Sequence, residues 1–398
     1  MRERWNSLKS SVRSGFWAIP AACVIAALLL AFGLVRLDRY LTTRVAYTFG
    51  AGPDGAREVL SAITTAMITF TGLVFSITIV VLQLTSSQFS PRVLRTFLRD
   101  RLTQASLGVF VATFVYAVMV LRTVDSADET VFVPEIATTV GLALLLLSVA
   151  VFVGYIHHIA TTIQVSSIIG SIGDEARTTL ERRFPSGTDV PPDAGVVRRP
   201  DDLPSAVVPA RRFGVLTTID EQRLVQLACQ ADVVLTTRLR FGDYVPEGAP
   251  LLEVLGDPSG LDLAAVSDCL GQGRERTMEQ DLAFGLRQLV DIAEKALSPG
   301  INDPTTAVQA VDQLHDLLRR LATRPLRSGV QTDELGRVRL VLPEQQMADF
   351  LSLALDEVEH YGKDAVPVQT RIVALLADLA AAALPQHRGA IEQRRSGR

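Results

Sequence analysis

Four long stretches without charged side chains dominate the first 173 residues of the chain. They cover Phe16–Val35, Val59–Pro91, Leu102–Leu121 and Ile136–Gly173. Twenty residues form a helix of about 30 Å, which matches the hydrocarbon core of a bilayer. A secretory signal peptide would have a shorter core and a cleavage site of small residues, whereas Arg36 follows the first stretch. The pattern predicts a transmembrane domain over residues 1–173, with helices near 16–35, 59–84, 102–121 and 136–158.

The distribution of Arg and Lys between the short polar segments predicts the orientation. The N-terminal tail and the second loop carry Arg2, Arg4, Lys9, Arg13, Arg92, Arg95, Arg99 and Arg101. The first and third loops carry fewer basic residues, namely Arg36, Arg39, Arg44, Arg57 and Arg122. Because basic segments tend to stay on the cytoplasmic side, we expect both termini in the cytoplasm. The opposite orientation stays open, since the first loop is also basic.

The second stretch is unusually polar for a helix in lipid. At 100° per residue, one arc of about 80° collects Ser61, Thr65, Thr69, Gly72, Ser76, Gln83 and Ser87. Such a face indicates close contact with another helix, either inside the bundle or between protomers, or else contact with water along a permeation path. Asp, Glu, Lys and Arg are absent from all four stretches, which argues against a proton relay or a voltage sensor.

The fourth stretch is too long for one membrane crossing. Its roughly 38 residues would form a helix of about 57 Å, so we expect the helix to continue past His157 and His158 into the cytoplasm. Neighbouring residues on a helix point about 100° apart, so these two histidines do not share a metal ion simply. They are interpreted as side chains at the membrane boundary.

The chain after residue 173 has the pattern of a cytosolic α+β region. Residues 174–207 are interpreted as a helix end and a linker rich in Pro, Asp and Gly. Short β-like runs predict a small β-rich module over 208–258, in which GDYVPEGAPLLEV looks like the hairpins of biotinyl and lipoyl carriers. Those carriers need a modifiable lysine, and none occurs between Lys9 and Lys295. Apolar spacing then predicts a helical domain over 259–385, interrupted at Val338–Leu342, and a polar tail over 386–398.

Between two of the predicted helices the chain reads SPGINDP. Pro299, Gly300, Asn302, Asp303 and Pro304 each suit a turn, with Asp303 as the N-cap and Pro304 as the first residue of the next helix. The sequence therefore predicts a structural corner. In the alternative interpretation, the helix N-terminus receives an anion or a partner segment, although Asp303 already occupies that position.

Four segments of the chain are long and specific enough to compare with a known family. They are SITIVVLQLTSSQFSPRVLRTFLRD, GVFVATFVYAVMVLRTV, YIHHIA and QDLAFGLRQLVDIAEKALSPGINDPTTA. Together they resemble a bacterial family catalogued only as predicted membrane proteins of unknown function, from the first stretch to about residue 325. The resemblance implies a bacterial inner-membrane protein with a cytosolic C-terminal domain, and it implies no activity.

Composition and motifs narrow the chemistry. The formal net charge is only −4, which argues against a nucleic-acid partner. The three cysteines fit neither a disulfide framework nor a metal site; they are Cys23, Cys229 and Cys269. Nucleotide-binding, zincin and esterase motifs are absent from the sequence. Two carboxylate-x-x-His pairs exist, Asp312 with His315 and Glu357 with His360, but further ligands are missing. We therefore expect no catalytic residue, cofactor or metal ion.

Two functions from different classes fit these patterns. The first is an oligomeric, channel-like or transport-related protein in which the second helix lines the path, with the lipid bilayer and further copies of the chain as its partners. The alternative is a membrane-anchored sensor or scaffold whose cytosolic domain binds a protein partner. An enzyme is the least favoured class.

Overall fold

The computed structural model describes residues 17–41, 52–88, 101–124, 132–162, 164–185 and 205–397. Two compact units divide the chain between Gln164 and Val165. They are called the N-terminal unit and the C-terminal unit below, and each is described by itself.

The described part of the N-terminal unit consists mainly of four helices. These are α1 (Ala18–Leu41), α2 (Gly52–Gln88), α3 (Arg101–Leu121) and α4 (Glu135–Thr162). Each is long and apolar enough to cross a membrane. The predicted fold class, with four membrane helices before an α+β region, is confirmed. Helix α2 begins seven residues earlier than expected, because Asp54, Arg57 and Glu58 belong to its first turns.

Helix α3 packs against the other three helices, and polar bonds join them within an apolar core. The core includes a stacked pair of rings, Phe70 and Phe152, whose centroids lie 4.7 Å apart. The hydroxyl of Tyr116 donates a hydrogen bond to the carbonyl oxygen of Ala137 at 2.7 Å. In lipid, where the hydrophobic effect does not drive helices together, such packing and interhelical bonds provide the association.

The amino end of α4 is capped by a side chain of α1. The carboxylate of Asp38 is buried and accepts hydrogen bonds from the backbone N–H groups of Ile136 at 3.1 Å and Ala137 at 3.0 Å. A negative charge there also suits the positive end of the helix dipole. This contact aligns one end of α1 with the start of α4.

The fourth helix continues past His157 and His158 as expected, but only to Thr162. The rest of the long apolar stretch belongs to a separate helix, α5 (Val165–Arg183), which begins the C-terminal unit. Helix α5 is amphipathic, with Ile168, Ile172 and Leu180 buried against other helices of that unit. This pattern serves packing inside a folded domain, whereas α4 remains apolar on most sides. The residues interpreted as a helix end, 174–183, are thus the second half of α5.

The β-rich part of the C-terminal unit contains two sheets. The strands are β1 (Ser205–Pro209), β2 (Gly214–Ile219), β3 (Val234–Thr236), β4 (Tyr244–Val245), β5 (Pro250–Leu255), β6 (Leu270–Gly273), β7 (Val330–Thr332) and β8 (Val338–Val341). The first sheet has the order β1-β5-β3-β8-β7, in which only β3 and β8 run parallel; the second has the order β4-β2-β6. Helices α6 (Glu221–Gln230) and α7 (Leu263–Asp268) and a short 3₁₀ turn at Pro258–Gly260 connect them.

Three strands lie beyond Leu261, where only one interruption of the helical pattern was expected. Strand β8 confirms the predicted β stretch at Val338–Leu342. Strands β6 and β7 were missed. Strand β6 pairs with β2 in the register Leu216 to Gln272 and Ile219 to Leu270, and β7 pairs with β8. The β-rich part therefore takes strands from the region interpreted as purely helical, because strand pairing across the chain outweighs local spacing.

Five further helices complete the C-terminal unit. They are α8 (Leu282–Leu297), α9 (Pro304–Ala322), α10 (Met347–Tyr361), α11 (Val366–Ala382) and α12 (Pro385–Ser396). Helix α8 is buried on most sides and packs against α5, α9 and α10. The region predicted to be a polar tail instead forms most of helix α12, which packs onto the unit. Its Ile391 is buried, and its Arg394 pairs with Asp356 and Glu359 of α10.

Candidate functional site: the outward polar face of helix α2

Helix α2 has two sides of opposite character. Its buried side contains residues spaced by three, four and seven, namely Ala56, Leu60, Ile63, Met67, Val74 and Val81. This spacing places them on one helical stripe, which packs against α3 and α4. The core of the N-terminal unit therefore takes only the apolar side of α2.

The predicted polar face lies on the opposite side and points out of the protomer. Thr65, Thr69, Gly72, Ser76 and Gln83 are all exposed. Ser87 belongs to the same helix, but its side chain lies outside the described residues. A Cβ atom added at Gly72 would meet nothing within 4 Å, so the middle of the face is open. Packing within the described part of the N-terminal unit therefore does not account for the face. Another copy of the chain, water or lipid are the neighbours considered below.

The hydroxyl groups of this face bond to their own helix. Thr65 Oγ1 donates to the carbonyl oxygen of Ser61 at 3.0 Å, and Thr69 Oγ1 donates to that of Thr65 at 2.9 Å. Each hydroxyl keeps lone pairs that can accept a bond from a neighbour. The face is thus smooth and narrow, carries weak hydrogen-bond acceptors, and can allow another backbone or a hydrated solute to approach closely.

The threonines on the adjacent strip are less exposed and face the inside of the bundle. Thr64, Thr71 and Thr78 are half-buried and also donate to their own helix. Thr78 Oγ1 lies 3.0 Å from the hydroxyl oxygen of Tyr155, which is buried in α4. This strip joins α2 to α4, so the two polar lines of the second stretch divide between the inside and the outside of the bundle.

The structure adds two acidic residues that the sequence analysis missed. Asp54 and Glu58 are exposed in the first turns of α2. At 100° per residue, both point within about 20° of the direction of Thr65. They were missed because the predicted helix began at residue 59; the spacing 54, 58, 61 and 65 is the signal that would have revealed them. The polar face therefore runs from an acidic end to Gln83.

The outward faces of α1 and α4 provide a contrast. Their exposed residues are large and apolar, including Ile25, Leu29 and Phe32 in α1 and Leu146, Leu147 and Val153 in α4. These are the side chains expected against acyl chains. Among the membrane-capable helices, α2 thus combines a conventional lipid-facing flank, with Ile68 and Ile79, and a stripe of small polar residues.

The SPGINDP corner has a complete local explanation. Asp303 is the N-cap of α9 and accepts from the backbone N–H groups of Thr305 and Thr306, both at 3.1 Å. The hydroxyl of Thr306 donates to the same carboxylate at 2.5 Å, and these bonds hold the pKa of Asp303 below its ordinary value. Pro304 occupies the first helical turn as predicted, and Asn302 adopts a positive φ of 49°. Pro299 and Gly300 are exposed at the tip of the corner.

The Asp312–His315 pair serves helix packing. Asp312 pairs with Arg371, and His315 Nε2 lies 2.8 Å from the carboxylate of Asp378, so both link α9 to α11. The bond from His315 lowers the pKa of Asp378. Within the described residues, no group of three or more His, Cys, Asp and Glu side chains is arranged to hold a metal ion.

Comparison with known proteins identifies a family whose model matches most of the chain. A family model described as "Predicted membrane protein (DUF2254)" matches residues 13–378. Uncharacterized proteins of Mycobacterium tuberculosis (strain H37Rv) and Mycobacterium bovis are each 36% identical over 342 residues, which is 83% of this chain. The aligned part covers only 65% of those relatives. No solved structure matches the chain.

Proposed function

The chain belongs to the DUF2254 family of predicted membrane proteins, and we propose that it is a homo-oligomeric, channel-like protein of the bacterial inner membrane. The polar face of α2 lines the path of a solute. A single observation carries this proposal: Thr65, Thr69, Gly72, Ser76 and Gln83 all point away from the core of their own protomer.

Lipid is an unsuitable neighbour for this face. An amide such as that of Gln83 loses roughly 2–7 kcal/mol when it moves from water into hydrocarbon without a hydrogen bond. Ser76 and Thr69 add small polar groups where α1 and α4 present Leu, Ile and Phe. Water or a second α2 helix accepts the same groups at much lower cost.

The described part of one protomer offers one such face, so a path requires several copies. In a closed assembly with an axis along the bilayer normal, every copy turns the same face toward the centre. Water and solute then meet hydroxyls and the Gly72 backbone instead of charged side chains. The acidic pair Asp54 and Glu58 lies at the end of α2 that the orientation prediction places outside the cytoplasm.

Thiol labelling tests the wet face. All three native cysteines are replaced by alanine, single cysteines are introduced in α2, and intact vesicles receive a water-soluble thiol reagent. We expect Thr69→Cys and Ser76→Cys to react. Leu29→Cys, on the lipid-facing side of α1, and Met67→Cys, in the core, serve as protected controls. Protection of all four positions would contradict a wet path.

Conductance across planar bilayers tests transport itself. Thr69→Val keeps the shape of the side chain and removes its hydroxyl, so it should change the conductance of the purified protein. The matched control is Thr64→Val on the inner strip, whose hydroxyl bonds to Leu60 at 2.8 Å within the protomer. A folded oligomer without any conductance would contradict the proposal and favour the sensor or scaffold.

The proposed orientation places both termini in the cytoplasm. A reporter enzyme that is active only in the periplasm, fused after Arg398, should therefore be inactive in cells, whereas a cytoplasmic reporter at the same position should be active. Activity of the periplasmic reporter would reverse the orientation and move the acidic end of α2 to the cytoplasmic side.

A further inference from the structure

Helix α11 exposes a face without charged side chains on the C-terminal unit. This face runs along the whole helix, and its exposed residues are Val366, Thr370, Val373, Ala374, Ala377 and Ala381. Val366 is 74% exposed and Val373 is 59% exposed. The opposite side packs into the unit through Val368, Ile372, Leu375, Leu376 and Leu379. A helix that is apolar on both sides is usually buried on both sides.

The charged side chains of α11 point toward α9 and away from this face. Arg371 pairs with Asp312, and Asp378 accepts bonds from His315 and from Arg319 at 2.9 Å, all on α9. The outward helix surfaces beside it are ion-paired, as at Arg319 and Arg394. The face of α11 is therefore a local exception, with a polar rim on the α9 side and an apolar centre, which is the composition of a protein interface.

We propose that this face, called the α11 face, binds the α11 face of a second copy of the chain in antiparallel orientation. The sequence of the face is self-complementary about a point between residues 373 and 374. A two-fold axis at that point places Val366 against Ala381 of the other copy and Thr370 against Ala377, so at both ends of the contact a larger side chain meets an alanine. Beside the axis, the side chains of Val373 from the two copies meet each other, because Val373 and Ala374 point about 100° apart on the helix.

The ends of the α11 face are complementary in charge as well. Asp364 is exposed just before α11, and the guanidinium of Arg388 lies at its other end, where Nε donates to the carbonyl oxygen of Ala383 at 3.2 Å. The same two-fold axis sets position 383 of one copy opposite position 364 of the other. Each end of the pair thus brings Asp364, together with the exposed Lys363 beside it, near one Arg388. A parallel pair would instead set the two Arg388 guanidinium groups against each other, so the charges favour the antiparallel arrangement.

A pair of 17-residue helices about 25 Å long buries less surface than a typical stable interface. Copies anchored in one membrane, however, have a high effective concentration for each other, so a small contact suffices. The proposed α11 contact does not require a solute path along α2, so each proposal can be tested without the other.

Cysteine crosslinking in the full-length chain tests the α11 face. In the background without native cysteines, Val373→Cys lies at the two-fold axis and should form a covalent dimer with itself under mild oxidation in native membranes. Val366→Cys alone should not, since the two copies of this residue lie about 22 Å apart along the antiparallel pair. Protomers carrying Val366→Cys and Ala381→Cys, with different tags in one cell, should crosslink to each other.

The controls separate pairing from chance collision. Leu335→Cys is 77% exposed elsewhere on the unit and should stay uncrosslinked. Ala377→Glu adds a charge to the exposed face without changing the core, and it should reduce crosslinking through Val373→Cys at least tenfold, while protease resistance of the unit is unchanged. Self-crosslinking of Val366→Cys would establish a parallel pair, and absence of any α11 crosslink would overturn the proposal. Neither result depends on thiol labelling or conductance at α2.

Discussion

Replacement of the Asp303 cap should loosen the first turn of α9 while the rest of the helix stays folded. The carboxylate accepts two backbone N–H groups, from Thr305 and Thr306, and one hydroxyl. In Asp303→Ala these two N–H groups lose their acceptor at a helix end, where the helix itself supplies none. The neighbouring bond from the Asp303 N–H to the carbonyl of Ala296, at 2.8 Å, uses backbone atoms and remains.

The size of the effect follows from the lost cap. Replacement of an N-cap Asp by Ala destabilises a helix by about 0.5–2 kcal/mol. Since about 1.4 kcal/mol is tenfold in an equilibrium constant, the opening of the first turn should become about 2- to 30-fold more favourable. Asp303→Asn keeps one acceptor oxygen and should lie close to the wild type.

Hydrogen exchange of the full-length protein measures this change locally. The peptide that covers residues 303–310 should exchange faster in Asp303→Ala by that factor, and peptides from the middle of α9 should not change. Gln309→Ala, at an exposed position of the same helix, is the matched control. Equal exchange in Asp303→Ala and the wild type would show that the backbone bonds hold the corner without the carboxylate.

The same cap has a defined pH dependence. The side-chain bond from Thr306, followed by its backbone bond, lowers the pKa of Asp303 in the folded protein. The stabilisation is therefore complete above the unfolded pKa of about 3.9 and is lost as the pH falls through the lower folded value. Between pH 5 and 8 the protection of the first turn should be constant. A loss of protection within that range would assign the titration to another group.

Two further substitutions test the packing of each unit. A Cβ atom at Gly285 would lie 2.9 Å from that of Ala176, so Gly285→Ala should separate α5 from α8 and destabilise the C-terminal unit by about 1–3 kcal/mol, measured by thermal unfolding. Gly170→Ala, with open space around it, should be neutral or stabilising, and equal losses in both variants would refute the packing argument. Tyr155→Phe removes the 3.0 Å contact with Thr78 and should lower the resistance of the N-terminal unit to SDS by about 0.6–2 kcal/mol; an unchanged transition would show that the contact adds no stability.

The membrane helices could be predicted because charge-free runs of twenty or more residues have few alternatives in a folded chain. The polar arc of α2 was also found, since its spacing follows from helix geometry alone. Its outward direction could not be predicted. Within the predicted span, residues 59–84, both sides of the helix are uncharged, so Leu60 and Thr65 give no signal about which of them meets α3 and α4.

The elements of the C-terminal unit that the sequence analysis did not predict were missed for a different reason. Strand β6 is only four residues long and contains Gly271 and Gly273, which favour neither helix nor strand; its pairing with β2 is a long-range contact. Helix α12 has few apolar residues, and Arg394 holds it to α10 through ion pairs, so hydrophobic spacing was too weak to reveal it. The uncharged face of α11 was hidden because the same residue types predict a buried helix.

The proposed α11 contact restricts the number of copies in an assembly. All copies of one chain share a single orientation in the bilayer, so a two-fold axis that relates two of them must run along the bilayer normal. Each antiparallel α11 contact joins two copies about such an axis, and each copy has one α11 face. If every copy forms this contact, the assembly therefore contains an even number of protomers, and the smallest is a dimer.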